Sequence, residues 1–316
     1  SDLWIAGFDD VRALVQKEKN VTVTSINTPD VVKVGETEAS FTVVNNGSKA
    51  VTSLTAKYQF EGYEEVAQNF TTYMAPNTSK NLTFSVPTNI VGFNPVKLTV
   101  TIVAVNNTTD ADESDNTLEK NISIAWGDTQ RIPMIEHFSG SGCGPCVPIN
   151  ASMKTLSENN PGKYTDTKYA ISAPSTDTHQ TNEGITRYYY YECEGVPSIR
   201  IDGLDKGRPI SQSTLDSRYN TPALADVRGA FNIDGNTLNV TADFMAYADI
   251  TGVKAFITVN EKVIEKNGAN GEREFHHIML KMLGGDEGTS LNLKAGEYQR
   301  LTFSHNMSTT KMQDIN

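Results

Sequence analysis

The chain has 316 residues, 38% of them hydrophobic and 21% charged, with a formal net charge of −11, so two or three domains are expected rather than one. Acidity without any Lys/Arg cluster argues against a nucleic-acid partner, and no apolar run approaches the length of a membrane helix. Three cysteines are too few for a disulfide framework, and no second pair accompanies Cys143 and Cys146 to complete a zinc site, so neither metal nor other cofactor is expected.

In residues 1–19, Trp4, Ala6 and Phe8 alternate before Asp9-Asp10-Val11-Arg12. This resembles the closing strand of jelly-roll modules in Bacteroidetes surface proteins; a first strand of the following domain fits equally. Ser1-Asp2 carries neither a charged nor an apolar leader, so any signal segment is expected to have been removed.

Residues 20–126 alternate between strand and turn. Leu98, Val100, Ile102 and Ala104 interleave with Lys97, Thr99 and Thr101, the period of a strand with one buried face. About seven such strands separated by Pro29-Asp30, Asn45-Asn46-Gly47 and Pro76-Asn77 predict an immunoglobulin-like β-sandwich. The succession Val32-Lys33-Val34-Gly35-Glu36, Val44-Asn45-Asn46-Gly47 and Asp115-Asn116 resembles the bacterial cell-adhesion-related domain. Asp110, Asp112, Glu113 and Asp115 crowd one hairpin tip, but the run has neither the central glycine nor the terminal bidentate glutamate of an EF-hand, so a solvated loop is expected rather than a calcium site.

Gly127-Asp128 marks a hinge into an α/β segment expected to span 127–220. An apolar strand from Ile132 to Phe138 runs through a Gly-rich turn into Cys143-Gly144-Pro145-Cys146, and Ile149, Met153 and Leu156 fall on one helical face that stops at Asn159 to Gly162. At a helix N-terminus, unpaired N–H groups and the dipole favour a thiolate, and a cysteine three residues on can close a disulfide. With Gly195-Val196-Pro197 opening a later strand, this order resembles the thioredoxin superfamily. The resemblance implies a cis Val196-Pro197 bond facing the disulfide, and it makes Cys143, Cys146 and Pro197 candidate site residues.

The sequence departs from thioredoxin at two places. Gly142 stands where an aromatic residue usually precedes the first cysteine, and His137 stands where an acidic residue is usually buried behind the pair. Glu136 and His137 are therefore both candidates for a proton relay to Cys146, while a buried strand histidine with a structural role is the plainer reading of His137. Cys193 reads as a small buried residue in the last turn of a helix capped by Asn182, although four residues before Pro197 a thioredoxin-like fold would also bring it within reach of the active loop; the four tyrosines 188–191 must face all round that helix, and His179 reads as solvated.

From Thr221 to Asn316 the period returns to two, predicting a C-terminal β-sandwich that ends without a closing apolar strand. His276 and His277, adjacent on a strand, are expected to point to opposite faces and so not to share a metal. Phe275 to Leu283 followed by Gly284-Gly285 and Gly288 resembles the Bacteroidetes outer-membrane-protein-28-related family, in which a thioredoxin-like domain precedes a β-sandwich. That resemblance implies an extracytoplasmic protein, at the outer membrane or cell surface, lipid-anchored or secreted. Two functions follow as expectations. One is thiol–disulfide exchange with protein thiols or disulfides. The other is a surface adhesion or binding module, meeting other cell-surface proteins, in which the α/β segment is structural.

Overall fold

The computed structural model describes residues 16–310, so the N-terminal strand expected around Trp4, Ala6 and Phe8 and the last six residues lie outside the described part. The chain divides between Trp126 and Gly127 into two units.

In the first unit, strands follow wherever apolar and polar residues alternate: β1 (Val21–Ile26), β2 (Val31–Lys33), β3 (Gly35–Thr37), β4 (Ser40–Asn45), β5 (Val51–Phe60), β6 (Val66–Met74), β7 (Ser79–Thr83), β8 (Thr88–Ile90), β9 (Val96–Val105) and β10 (Thr117–Ala125). Sheet β1-β4-β7 and sheet β2-β10-β9-β5-β6 enclose one core, and β3 pairs with β8. The core holds Phe41 stacked on Phe84 at 5.3 Å, with Tyr58 and Phe60 from β5. The buried Tyr58 hydroxyl donates to the Val86 carbonyl at 2.7 Å, so the ring is buried without stranding its polar end. The two facing sheets make the β-sandwich that the alternation of strand and turn predicts. Its acidic tip is more ordered than the solvated loop the composition suggests. Asp110 accepts from the backbone N–H of Val21 (2.8 Å) and of Asp112 (2.9 Å), Asp112 pairs with Lys17 at 2.8 Å, and Asp115 accepts from the Thr22 hydroxyl.

The second unit continues with β11 (Met134–Ser139), α1 (Cys146–Asn159), β12 (Thr165–Ala170), α2 (Asn182–Tyr190), β13 (Ser198–Ile201) and α3 (Gln212–Tyr219). Then come β14 (Ala225–Asp234), β15 (Thr237–Ala246), β16 (Ile250–Ala255), β17 (Ile257–Glu265), β18 (Glu274–Leu283), β19 (Thr289–Leu293) and β20 (Tyr298–Asn306). The central sheet has the order β13-β11-β12-β18-β17. Its strands β11, β12 and β18 are mutually parallel, while β13 and β17 run antiparallel to their neighbours.

The expected boundary at 220/221 therefore does not separate two sheets. Residues 127–310 are one unit, and β17 and β18, read from sequence as part of a C-terminal sandwich, extend the α/β sheet. The reason is visible in β18, whose residues Ile278, Met279, Leu280, Met282 and Leu283 are all buried, as a strand covered on both faces requires. Only β14-β15-β20 and the pair β16-β19 stand apart, closing a small core around Phe244, Leu291 and Leu293.

Strand alternation sorts β11 between the two faces of the central sheet. Ile135 points to the face covered by Met153 and Leu156 of α1 and Leu215 of α3, and Phe138 points to the face covered by α2. Thr181, not Asn182, caps α2, accepting from the Gly184 N–H at 3.0 Å. Helix α2 ends at Tyr190, so Cys193 lies beyond it rather than in its last turn. Tyr188 and Tyr191 pack on Phe138, while Tyr189 and Tyr190 are exposed.

Glu136, on the α2 face, is 4% exposed and accepts from Arg187 at 2.7 and 3.1 Å, from Tyr169 at 2.9 Å and from the Tyr191 hydroxyl. Burial works against the Arg187 charge, but the hydrogen bonds and charge of Glu136 more than offset it and hold the guanidinium firmly protonated. Removing one partner leaves the other buried and unpaired. Glu136→Leu is expected to lose about 3–5 kcal/mol in urea unfolding, and a loss below about 1 kcal/mol would contradict this account of the pair.

Candidate functional site

Cys143 and Cys146 form a disulfide, with an S–S distance of 2.01 Å. Helix α1 begins at Cys146 behind Pro145, which offers no side-chain cap. The Cys146 N–H lies 3.1 Å from Cys143 Sγ. That donor would stabilise a thiolate at Cys143 once the disulfide is reduced.

The Val196-Pro197 peptide bond is cis, and the Val196 carbonyl oxygen lies 3.7 Å from Cys143 Sγ. The three residues named by the resemblance to thioredoxins are thus gathered at one place. Beside them runs an open groove of 840 Å³, lined among others by Pro145, Ile149, Val196, Pro197, Arg200 and Arg208. Arg208 donates to the Pro197 carbonyl, and Arg200 pairs with Asp205 at 3.0 Å. Cys193, a buried free thiol, also lines this groove, with its Sγ 3.3 Å from the Ser198 hydroxyl.

The turn explains why glycine precedes the first cysteine. A Cβ on Gly142 would lie 2.0 Å from Ser175 Oγ, and one on Gly140 would lie 2.3 Å from the Ile171 carbonyl oxygen. An aromatic residue at 142 has no room unless the 171–180 loop moves away. Gly140 meets backbone and cannot be relieved by a side-chain rotation, whereas Gly142 meets chiefly a rotatable hydroxyl.

The loop 171–180 is itself tied down by Asp177. Its carboxylate accepts from the Ser141 N–H at 2.8 Å, from the His179 N–H at 3.0 Å and from Lys266 at 2.8 Å. Burial alone would raise this carboxyl, but Lys266 and the two N–H donors hold it below the ordinary carboxylate range. His179 belongs to the same cluster, its Nδ1 3.1 Å from Lys266 Nζ, so it is not the solvated residue its loop suggested.

The two relay candidates separate by face. Glu136 faces α2 and is committed to Arg187, away from the helix that carries Cys146. His137 lies on the α1 face, fully buried, and neither ring nitrogen has a hydrogen-bond partner. Burial, with Lys168 beside it as a lesser cause, depresses its pKa well below the usual histidine value.

His276 and His277 do not obey simple alternation. His277 takes a left-handed backbone (φ 56°), which turns both imidazoles toward one 400 Å³ cavity behind α1. His277 Nδ1 is 3.1 Å from Asp166, His276 Nε2 is 3.3 Å from Glu274, and no group of three metal-ligating side chains forms among the described residues.

No family model matches the chain, and no curated protein matches it. Several solved structures are similar to parts of it, two of them as follows. A CARDB (cell-adhesion-related) domain from Pyrococcus furiosus, solved in complex with di-metal ions, shares 24% identity over 35% of this chain and 97% of its own, with a TM-score of 0.30. HBP35 of Porphyromonas gingivalis shares 16% identity over 58% of this chain and 66% of its own, with a TM-score of 0.47. Both likenesses concern shape, and the reading of the disulfide site rests on its own geometry.

Two outcomes follow from this packing. Gly140→Ala is expected to cost about 1–3 kcal/mol in urea unfolding, against a smaller loss for Gly142→Ala, and equal losses would contradict the backbone clash. Because His137 is held neutral, the unfolded chain binds the extra proton first, so its contribution is complete above about pH 6.5 and is lost as pH falls below that value. His137→Leu is expected to flatten the stability profile between about pH 6.5 and 5, and an unchanged slope would contradict it.

Proposed function

We propose that the chain is an extracytoplasmic surface protein in which Cys143 and Cys146 carry out thiol–disulfide exchange and the immunoglobulin-like unit serves adhesion or spacing. The observation that carries this reading is that the disulfide meets the Val196-Pro197 loop, with the Val196 carbonyl 3.7 Å from Cys143 Sγ, behind a groove lined by that loop and by Pro145 and Ile149 at the start of α1. The order β11, α1, β12, α2, β13 supports a thioredoxin-like origin for the unit that bears it.

In the reducing direction, the Cys143 thiolate attacks one sulfur of a substrate disulfide. The substrate S–S bond breaks, the other substrate sulfur leaves and takes up a proton, and Cys143 holds a mixed disulfide. Cys146, after losing its proton, attacks Cys143 Sγ and releases the second substrate thiol, so the protein ends as the Cys143–Cys146 disulfide and the substrate has gained two electrons. An external thiol donor restores the dithiol. Pro197 and the carbonyl of Val196 border the groove that an extended substrate would occupy, and His137 is the remaining relay candidate on the α1 face. Cys143 exposes 2% of its surface and Cys146 none, so a substrate must displace atoms that cover the sulfur.

That burial also favours a second reading, in which the disulfide is a local staple and the whole chain is an adhesion or binding module for other cell-surface molecules. Exchange chemistry separates the two. Under the first reading, alkylation of the reduced protein shows a Cys143 midpoint below the free-cysteine value of about 8.5, Cys146→Ala traps mixed disulfides from envelope extract, and insulin is turned over. Cys193→Ser should leave that turnover within about twofold. A Cys143 that titrates as a free thiol, with neither turnover nor trapping, would move the case to the second reading.

A further inference from the structure

The turn that carries the cysteines is fastened by a loop more than a hundred residues away in sequence, the connection between β17 and β18. The Asn270 N–H donates to the Ser141 carbonyl at 3.0 Å, and Asn270 Nδ2 donates to the Cys143 carbonyl at 3.2 Å and to Glu272 Oε2 at 2.6 Å. The Glu272 carboxylate also accepts from Asn150 Nδ2 at 2.9 and 3.0 Å. Asn150 is one helical turn beyond Cys146 on the buried face of α1, and its Oδ1 lies 3.3 Å from the Ser139 hydroxyl at the end of β11. One carboxylate is therefore linked through two asparagines to both sides of the disulfide. No acidic residue from β11 reaches that side, because Glu136 faces α2.

From this we infer that Asn270 and Glu272 are positioning residues of the Cys143–Cys146 couple, and that the Glu272 charge sets how readily the couple is reduced. The inference rests on the exchange reading above and adds to it a specific electrostatic control. Reduction by two glutathione thiols breaks the Cys143–Cys146 bond, gives the dithiol and leaves glutathione disulfide. As the Cys143 proton is then lost, a negative charge appears on a turn that Asp177, paired with Lys266, holds directly through the Ser141 N–H and that a second carboxylate, Glu272, holds through Asn270. That carboxylate disfavours the thiolate and so stabilises the disulfide side.

Other charges face Glu272 around the 400 Å³ cavity. Lys154 and Glu158 come from α1, Asp166 and Lys168 from β12, and Glu274, His276 and His277 from β18. Among them Lys168 is buried, and it opposes Glu272. Burial lowers its pKa, while Asp166 and Glu272 act to raise it. The two groups should therefore move the couple in opposite directions, which a purely structural role would not do.

The test is the redox equilibrium of the full chain with glutathione, with the pH midpoint of Cys143 alkylation as a second readout. Glu272→Gln is expected to shift the equilibrium constant toward the dithiol by about three- to tenfold and to lower the alkylation midpoint. Glu272→Asp, which keeps the charge, should stay near the unaltered protein. Lys168→Met should shift both readouts the other way. Should one variant fail to fold, the sign of the other decides. Unchanged constants, or shifts of one sign in both Glu272→Gln and Lys168→Met, would overturn the inference. These ratios are measurable whether or not the protein turns over insulin, so loss of the exchange reading and loss of this inference are separate results.

Discussion

The second unit depends on the pairing of β12 with β18. That parallel contact joins a strand from the middle of the chain to one that follows it by more than a hundred residues, and it closes a sheet whose other edge carries the Val196-Pro197 loop. Without β18, the α2 face of β12 would lose Met279 and Met282, which share a core with Phe138 and Tyr169. Nor would the β17–β18 loop be delivered to the turn before α1. The disulfide site is thus assembled from β11 and α1, from the loop before β13, and from a hairpin that follows three intervening strands.

Much of this was legible wherever a short-range rule governs. Period-two alternation located strands such as β9 in the first unit, although ten strands form where about seven were expected, and the spacing of Ile149, Met153 and Leu156 located α1 together with its stop near Asn159. The Cys-x-x-Cys spacing and the later Val196-Pro197 pointed to residues that lie within reach of one another. What stayed hidden depends on partners distant in sequence. A run such as Ile278 to Leu283 announces a buried strand but not the sheet that buries it. The Gly140 and Gly142 positions read as turn residues, while their reason, the Ile171 carbonyl and Ser175 of a separate loop, is purely tertiary. The left-handed conformation at His277 likewise breaks an alternation that the residue type gives no cause to doubt.

The electrostatics follow the same division. Glu136 and His137 are neighbours in sequence, yet the sheet sends one to an arginine and two tyrosines and buries the other on the α1 face with no hydrogen-bond partner for its ring. A carboxylate that reads as a relay candidate is therefore spent on holding α2 to the sheet. Asp177 accepts directly from the Ser141 N–H of the cysteine turn, and Glu272 reaches the turn and α1 through Asn270 and Asn150, from a polar loop that nothing in its local composition distinguishes. The burial of Cys143 and Cys146 is the feature that weighs most against rapid chemistry, and the groove beside Val196 and Pro197 is the feature that weighs most for it.

These two features make opposite demands on the energy of the disulfide. A local staple gains from being hard to reduce, whereas a working couple must exchange electrons with thiols of ordinary potential. Equilibration of the full chain with glutathione buffers, read by the fraction of Cys143–Cys146 reduced, measures that energy directly. Thiol–disulfide exchange predicts a potential between about −270 and −120 mV. A value below about −300 mV, the range of structural disulfides, would contradict it.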